Sequence, residues 1–181
     1  KYFFIGFFVI LLALFIYFVI AVQLSEPEIE NTTVLQTPVE IVSQDFIICG
    51  KGRLQHNQYG LWELYLEGSP FELGVINGKL STDLIERQEV AFVNQINKMI
   101  PSQGYLKFLK YFIAFFNRNL DNNIDDQYLQ EIYGVSLSAS DKFEFIGNNY
   151  RRILNYHGAH DIGHALQNMN LVGCTAFASW N

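Results

Sequence analysis

The chain is poor in several residue types at once: of its 181 residues, two are cysteine, two methionine, two tryptophan and four proline. Two cysteines, Cys49 and Cys174, are too few for a disulfide framework and form no C-x-x-C or zinc-ribbon spacing. One disulfide between them in an oxidising compartment and two unrelated thiols both remain open. Positive charge is also scarce, with 12 Lys and Arg against 18 Asp and Glu for a net −6. The basic residues are scattered, which excludes the basic face that a nucleic-acid partner requires. H-E-x-x-H is missing, so the chain is no zincin. Internal repeats and low-complexity tracts are missing too.

Apolar residues are plentiful, and the largest block comes first. "YFFIGFFVILLALFIYFVIAV", residues 2–22, carries no charge, and about twenty such residues span a bilayer as a helix. The run is longer than the apolar region of a cleavable signal peptide, and "AVQLS" is a poor cleavage site. We therefore read residues 1–23 as an uncleaved anchor. Lys1 precedes the span and Glu26, Glu28 and Glu30 follow it. The positive-inside rule then places the globular part outside the cytoplasm, periplasmic or extracellular, on a single-pass membrane protein. Because residue 1 is not Met, the start is expected to lie upstream.

Residues 24–40, polar, acidic and holding two prolines, read as a linker. "NTT" at 31–33 is a formal glycosylation sequon, relevant only in a secretory eukaryotic setting. The folded part is expected over 41–181. "EIVSQDFIICGKGRL" opens strand-like and turns at its glycines. "LWELYLEG", 61–68, alternates as a half-buried strand, with Trp62, Leu64 and Leu66 on one face.

"GSPFELGVINGKL" carries a complete helix start. Ser69 and Glu72 form an S-x-x-E capping box, and Pro70 takes the first helical position. Apolar positions then continue through Leu73, Ile76, Leu80, Leu84, Phe92, Ile96 and Met99, predicting one helix that ends before Pro101. Gly74 and Gly78 share a face and each costs about 1 kcal/mol against alanine in a helix. That cost implies a close backbone approach to another element; plain helix packing is the favoured reading, and packing tightly beside the sheet is the alternative. Residues 105–120 read as an apolar helix, buried in the core, although an exposed face of this kind would suit a membrane or a substrate tail. A third helix follows from "DNNIDDQYLQEIYGVSLSAS", opened by an Asn/Asp cap. A fourth follows from "NNYRRILNYHGAHDIGHAL", and a final strand from 171–181.

Three of the four histidines, His157, His160 and His164, share one face of that fourth helix beside Asp161. The His-Asp pair resembles that of metal-dependent phosphohydrolases. Those enzymes need a further His upstream and an Asp downstream, and His56 is the only other histidine. The competing reading is a histidine-rich helix with local hydrogen bonds, packed next to something functional.

Cys174 lies in "LVGCTAFASWN". A lone Cys in an apolar strand is usually core. Gly173, however, leaves its carbonyl unobstructed. Thiol attack there would turn the Gly173–Cys174 amide into a thioester, and hydrolysis would leave Cys174 as a new N-terminus. A free α-amine titrates near 7.7–8.0, so it can act as base for its own thiol.

At this point the chain resembles a family. "GSPFELGVING" looks like the G-x-P-[YF]-E-x-G-x-x-x-G segment of the acyl-coenzyme A:6-aminopenicillanic acid acyltransferase-like proteins, which are autoprocessing N-terminal nucleophile (Ntn) hydrolases. "GCTAFASWN" looks like their processing site, and the two motifs stand in the family's order. The resemblance covers about residues 60–181. It implies an α+β fold, the αββα sandwich of Ntn hydrolases, and cleavage or transfer of an acyl group on a linear, non-peptide amide or thioester. It implies Cys174 as nucleophile and Gly173 as donor of the scissile carbonyl. Gly68, Pro70, Glu72, Gly74 and Gly78 are then the structural motif. Thr175, His157, His160, Asp161 and His164 are secondary candidates. No cofactor or metal is implied.

The family also carries a long catalytic segment after its cysteine. We expect the remainder beyond Asn181, with residues 1–181 inactive by themselves as in a zymogen. Two other classes stay in view: a metal-dependent hydrolase using His157, His160, Asp161 and His164, and a non-catalytic subunit of a membrane complex with helix 105–120 as its interaction face.

Overall fold

The computed structural model describes residues 2–99 and 101–165, with side chains except for Met99, Gln103 and residues 159–165. Gly173, Cys174, Thr175 and the predicted strand 171–181 lie outside the described residues.

Helix α1, Tyr2–Ala21, is the apolar run. It is long and apolar enough to cross a membrane, and none of its residues is buried within the protein. At a rise of 1.5 Å per residue it extends about 30 Å, the thickness of a bilayer's hydrocarbon core. Beyond it the acidic segment docks on the globular part. The Tyr133 hydroxyl donates to Glu26 at 2.8 Å. Leu24 and Ile29 pack against the core, and Val34 is buried in it. Lys79 donates to the carbonyls of Leu35 and Thr37, both at 2.7 Å.

The fold is α+β. Strands β1 (Val39–Ser43), β2 (Phe46–Cys49), β3 (Gly52–His56) and β4 (Trp62–Tyr65) form an antiparallel meander in that order. Where the sequence reads as one strand-like opening, the chain makes three strands, reversing at Gln44–Asp45 and Gly50–Lys51. Gly50 takes φ +53°, the left-handed conformation such a turn requires. Strands of four or five residues are too short for alternation to stand out. β4 is found where it was expected, but its residues are exposed on both faces rather than half-buried. It lies at the sheet edge, and the helix that covers the sheet sits over β2 and β3 instead.

That helix is α2, Pro70–Leu80. Val75, Ile76 and Leu80 bury against Cys49 and Leu54 of the sheet. Gly52 makes room: a Cβ there would stand 2.3 Å from Ile76 Cγ2. The single helix predicted over 70–100 is broken at Ser81 into α2 and α3 (Thr82–Met99). At the break the Thr82 hydroxyl donates to the Gly78 carbonyl at 2.7 Å, and Ser81 Oγ bonds to Asn77 Oδ1. Side-chain hydroxyls here compete with the helical ladder, and the apolar period runs on regardless.

Helix α4 covers Gln103–Phe116, α5 Asp126–Ser136 and α6 Asn149–Ala165. Asp125 stands at the α5 N-cap, as the sequence suggested, without a side-chain cap bond. A second core joins α5 and α6 through Ile132, Val135, Tyr150, Ile153 and Leu154. The layers therefore run sheet, α2, α5, α6. The glycines of α2 face the next helix, as plain helix packing requires, and not the sheet. A Cβ on Gly74 would stand 2.0 Å from the Glu131 carbonyl oxygen, and one on Gly78 would stand 2.9 Å from that of Val135. Gly134 of α5 answers them, with Val75 N at 2.7 Å from its hypothetical Cβ.

Gly74→Ala should therefore destabilise by about 3 kcal/mol, overpacking outweighing the ~1 kcal/mol gained in helix propensity. Gly104→Ala, in open space on α4, should be neutral or stabilise by a few tenths to ~1 kcal/mol. Denaturant unfolding of both variants beside the parent measures the contrast.

Candidate functional site

Each residue of the glycine–proline–glutamate motif has a local task. Pro70 fills the first helical position, where its missing N–H is not needed. The Ser69 N–H donates to Glu72 Oε2 at 2.8 Å, and the Ser69 hydroxyl to the same oxygen at 2.9 Å. These bonds hold the Glu72 carboxyl below its usual value, the backbone bond first and the hydroxyl second. Gly68 lets the carboxylate fold back, since a Cβ there would press on Glu72 Cβ at 2.9 Å. Gly74 and Gly78 then seat α2 on α5. The motif is thus a capped wedge between sheet and helices.

Helix α6 carries the histidines. It runs unbroken through His157, His160, Asp161 and His164 to Ala165, nine positions before Cys174. His157 is exposed, and its Nδ1 bonds to the Ile153 carbonyl at 2.8 Å. That is the local satisfaction expected of a histidine-rich helix. The side chains of His160, Asp161 and His164 lie outside the described residues. Among the described residues no three His, Cys, Asp or Glu side chains group as metal ligands. Among the described residues Cys49 is a buried free thiol, and burial raises its pKa. It is a core residue of the sheet layer.

The most elaborate polar cluster went unread in the sequence. Arg152 of α6 and Glu89 of α3 form an ion pair at 2.9 Å, each side chain 2% exposed. The same guanidinium donates to the carbonyls of Gly147 (2.9 Å) and Ser140 (2.7 Å) and to Asn149 Oδ1 (2.9 Å). The Tyr156 hydroxyl donates to Glu89 Oε1 at 3.2 Å. Burial first, then the Glu89 charge, push the Tyr156 phenol far up. Glu89 Oε2 has no hydrogen-bond partner among the described residues. The cluster pins α6 to α3 and to the 3-10 turn Asp141–Ile146. One sequence signal pointed to it: Ile85 and Val93 continue an apolar stripe that Glu89 interrupts at its centre.

Compared with protein-family models, curated proteins and solved structures, the chain matches none.

Two outcomes follow. Glu72, with a depressed folded pKa, contributes stability above the usual 4.5 and loses it as pH falls through the folded value. The stability gap between parent and Glu72→Gln should be open at neutral pH and should close on acidification; a gap independent of pH would contradict the capping role. Arg152→Met should cost about 3–5 kcal/mol by leaving Glu89 charged and buried, and adding Glu89→Leu should restore much of that. A double-mutant unfolding cycle reads it.

Proposed function

We propose that the chain is the N-terminal part of a membrane-anchored, autoprocessing cysteine Ntn amidohydrolase or acyltransferase, acting on a linear amide or acyl thioester. The observation that carries this is the ordered pair of motifs, "GSPFELGVING" and "GCTAFASWN", on one chain. The α+β character supports it, as does the way the motif's residues build one wedge.

The roles are these. Cys174 Sγ attacks the Gly173 carbonyl carbon, the peptide nitrogen leaves as the Cys174 amine with the thiol proton, and water hydrolyses the thioester. The freed α-amine then takes the thiol proton when substrate arrives, and the thiolate attacks the substrate acyl carbon. Water accepts the acyl group in hydrolysis, and an amine accepts it in transfer. Helix α6 delivers the chain to this junction. His157, His160, Asp161, His164 and Thr175 are the candidates for assisting it. The anchor would place the site outside the cytoplasm, beside envelope or lipid-like amides.

In the full-length protein the Gly173–Cys174 bond should break without added protease. Cys174→Ala should abolish cleavage and activity; Cys174→Ser should cleave slowly through the corresponding ester and remain poorly active. Intact-mass analysis of the purified variants is the test. An uncut wild-type chain with full amidohydrolase activity would overturn the proposal.

A further inference from the structure

Helix α4 was expected in the core, and the structure turns it the other way. Leu106 and Ala114 are buried against the protein, while the opposite face presents Phe108 (61% exposed), Phe112 (50%) and Phe116 (64%), flanked by Tyr105 and Tyr111. Monomeric soluble proteins seldom expose a contiguous aromatic stripe. Here something else is attached at its end. Phe115, near the C-terminus of α4, stacks on Phe18 of α1 with ring centroids 5.6 Å apart. Phe18 sits three residues before the end of α1, about 4.5 Å along the helix axis. If α1 spans a bilayer, Phe18 marks the outer edge of the hydrocarbon, and Phe115 shares that depth. Arg151 holds the arrangement from the other side by donating to the Val22 carbonyl just past α1.

We propose that α4 is an interfacial helix whose Phe108, Phe112 and Phe116 stripe beds into the headgroup–acyl boundary of the same phospholipid bilayer that α1 crosses. The proposal rests on α1 being the span. Its occupant is lipid because the stripe is continuous with the span through the Phe18–Phe115 contact. Charge agrees: α4 carries Lys107 and Lys110 and no acidic residue, in a chain of net charge −6. Aromatic rings belong at that depth, and lysines there reach phosphate. The consequence is a second membrane contact for a globular part that is already tied to α1 through the docked segment after it.

The test uses the whole chain reconstituted in phosphatidylcholine vesicles containing a minority of phosphatidylglycerol. Phe108→Trp and Phe112→Trp are made separately, and their emission is read as the difference from the parent, whose own tryptophans are Trp62 and Trp180. Circular dichroism confirms that each variant keeps the parent fold. The added tryptophan should lose most of its emission to lipids brominated high on the acyl chain, and should be protected from aqueous acrylamide. Quenching by acrylamide and not by bromolipid would overturn the proposal, because the stripe would face water. Protection from both quenchers would overturn it too, because a second copy or another protein would cover the face. Carbonate-resistant pelleting of the parent reports separately on whether α1 spans. A protein that pellets and has unquenched probes leaves the span standing and removes the interfacial helix.

Discussion

Everything in the globular part hangs on the distance between α2 and α5. The sheet core, built on Cys49, Leu54 and Val75, and the helical core, built on Ile132, Ile153 and Leu154, are separate clusters joined through α2. They join because Gly74, Gly78 and Gly134 remove the side chains that would hold the two backbones apart. Glycine in a helix forgoes stability locally. That loss is recovered by a backbone approach that larger residues cannot make. The capping box of Ser69 and Glu72 serves the same contact, because it fixes where α2 begins and so which residues face α5.

The second fixed point is the Arg152–Glu89 pair. A buried ion pair contributes little net stability over an apolar equivalent, but its partners cannot be separated cheaply. Besides their own bond, four hydrogen bonds reach this pair, from Ser140 and Gly147 at the ends of the 3-10 turn and from Asn149 and Tyr156 of α6, and together they set the rotation of α6 about its own axis.

The elements most legible in the sequence were those with local chemical signals. Ser69, Pro70 and Glu72 announced the start of α2, and the uncharged run announced α1. The spacing of Gly74 and Gly78 announced a close approach, though not that the neighbour would be α5. What stayed hidden depended on contacts made far along the chain. The break at Ser81 leaves the apolar period undisturbed, so no periodic reading detects it. Helix α4 has one apolar stripe whether it faces a core or a membrane, and only its neighbours decide. Arg152 and Glu89 lie 63 positions apart; the apolar stripe marks the place of Glu89, but nothing local names its partner. Of the candidate site, the wedge motif and the α6 backbone are described, while Gly173, Cys174 and Thr175 lie outside the described residues.

In the proposed enzyme Cys174 becomes an N-terminal residue with its amine and thiol free on one carbon frame. A cyanobenzothiazole fluorophore condenses with such a 1,2-aminothiol and not with an internal cysteine. Full-length protein purified without any added protease should take up the label at Cys174, located by peptide mapping. Protein that stays unlabelled there after full unfolding, with Cys174 recovered inside an intact peptide containing Gly173, would rule out the autoprocessing cysteine.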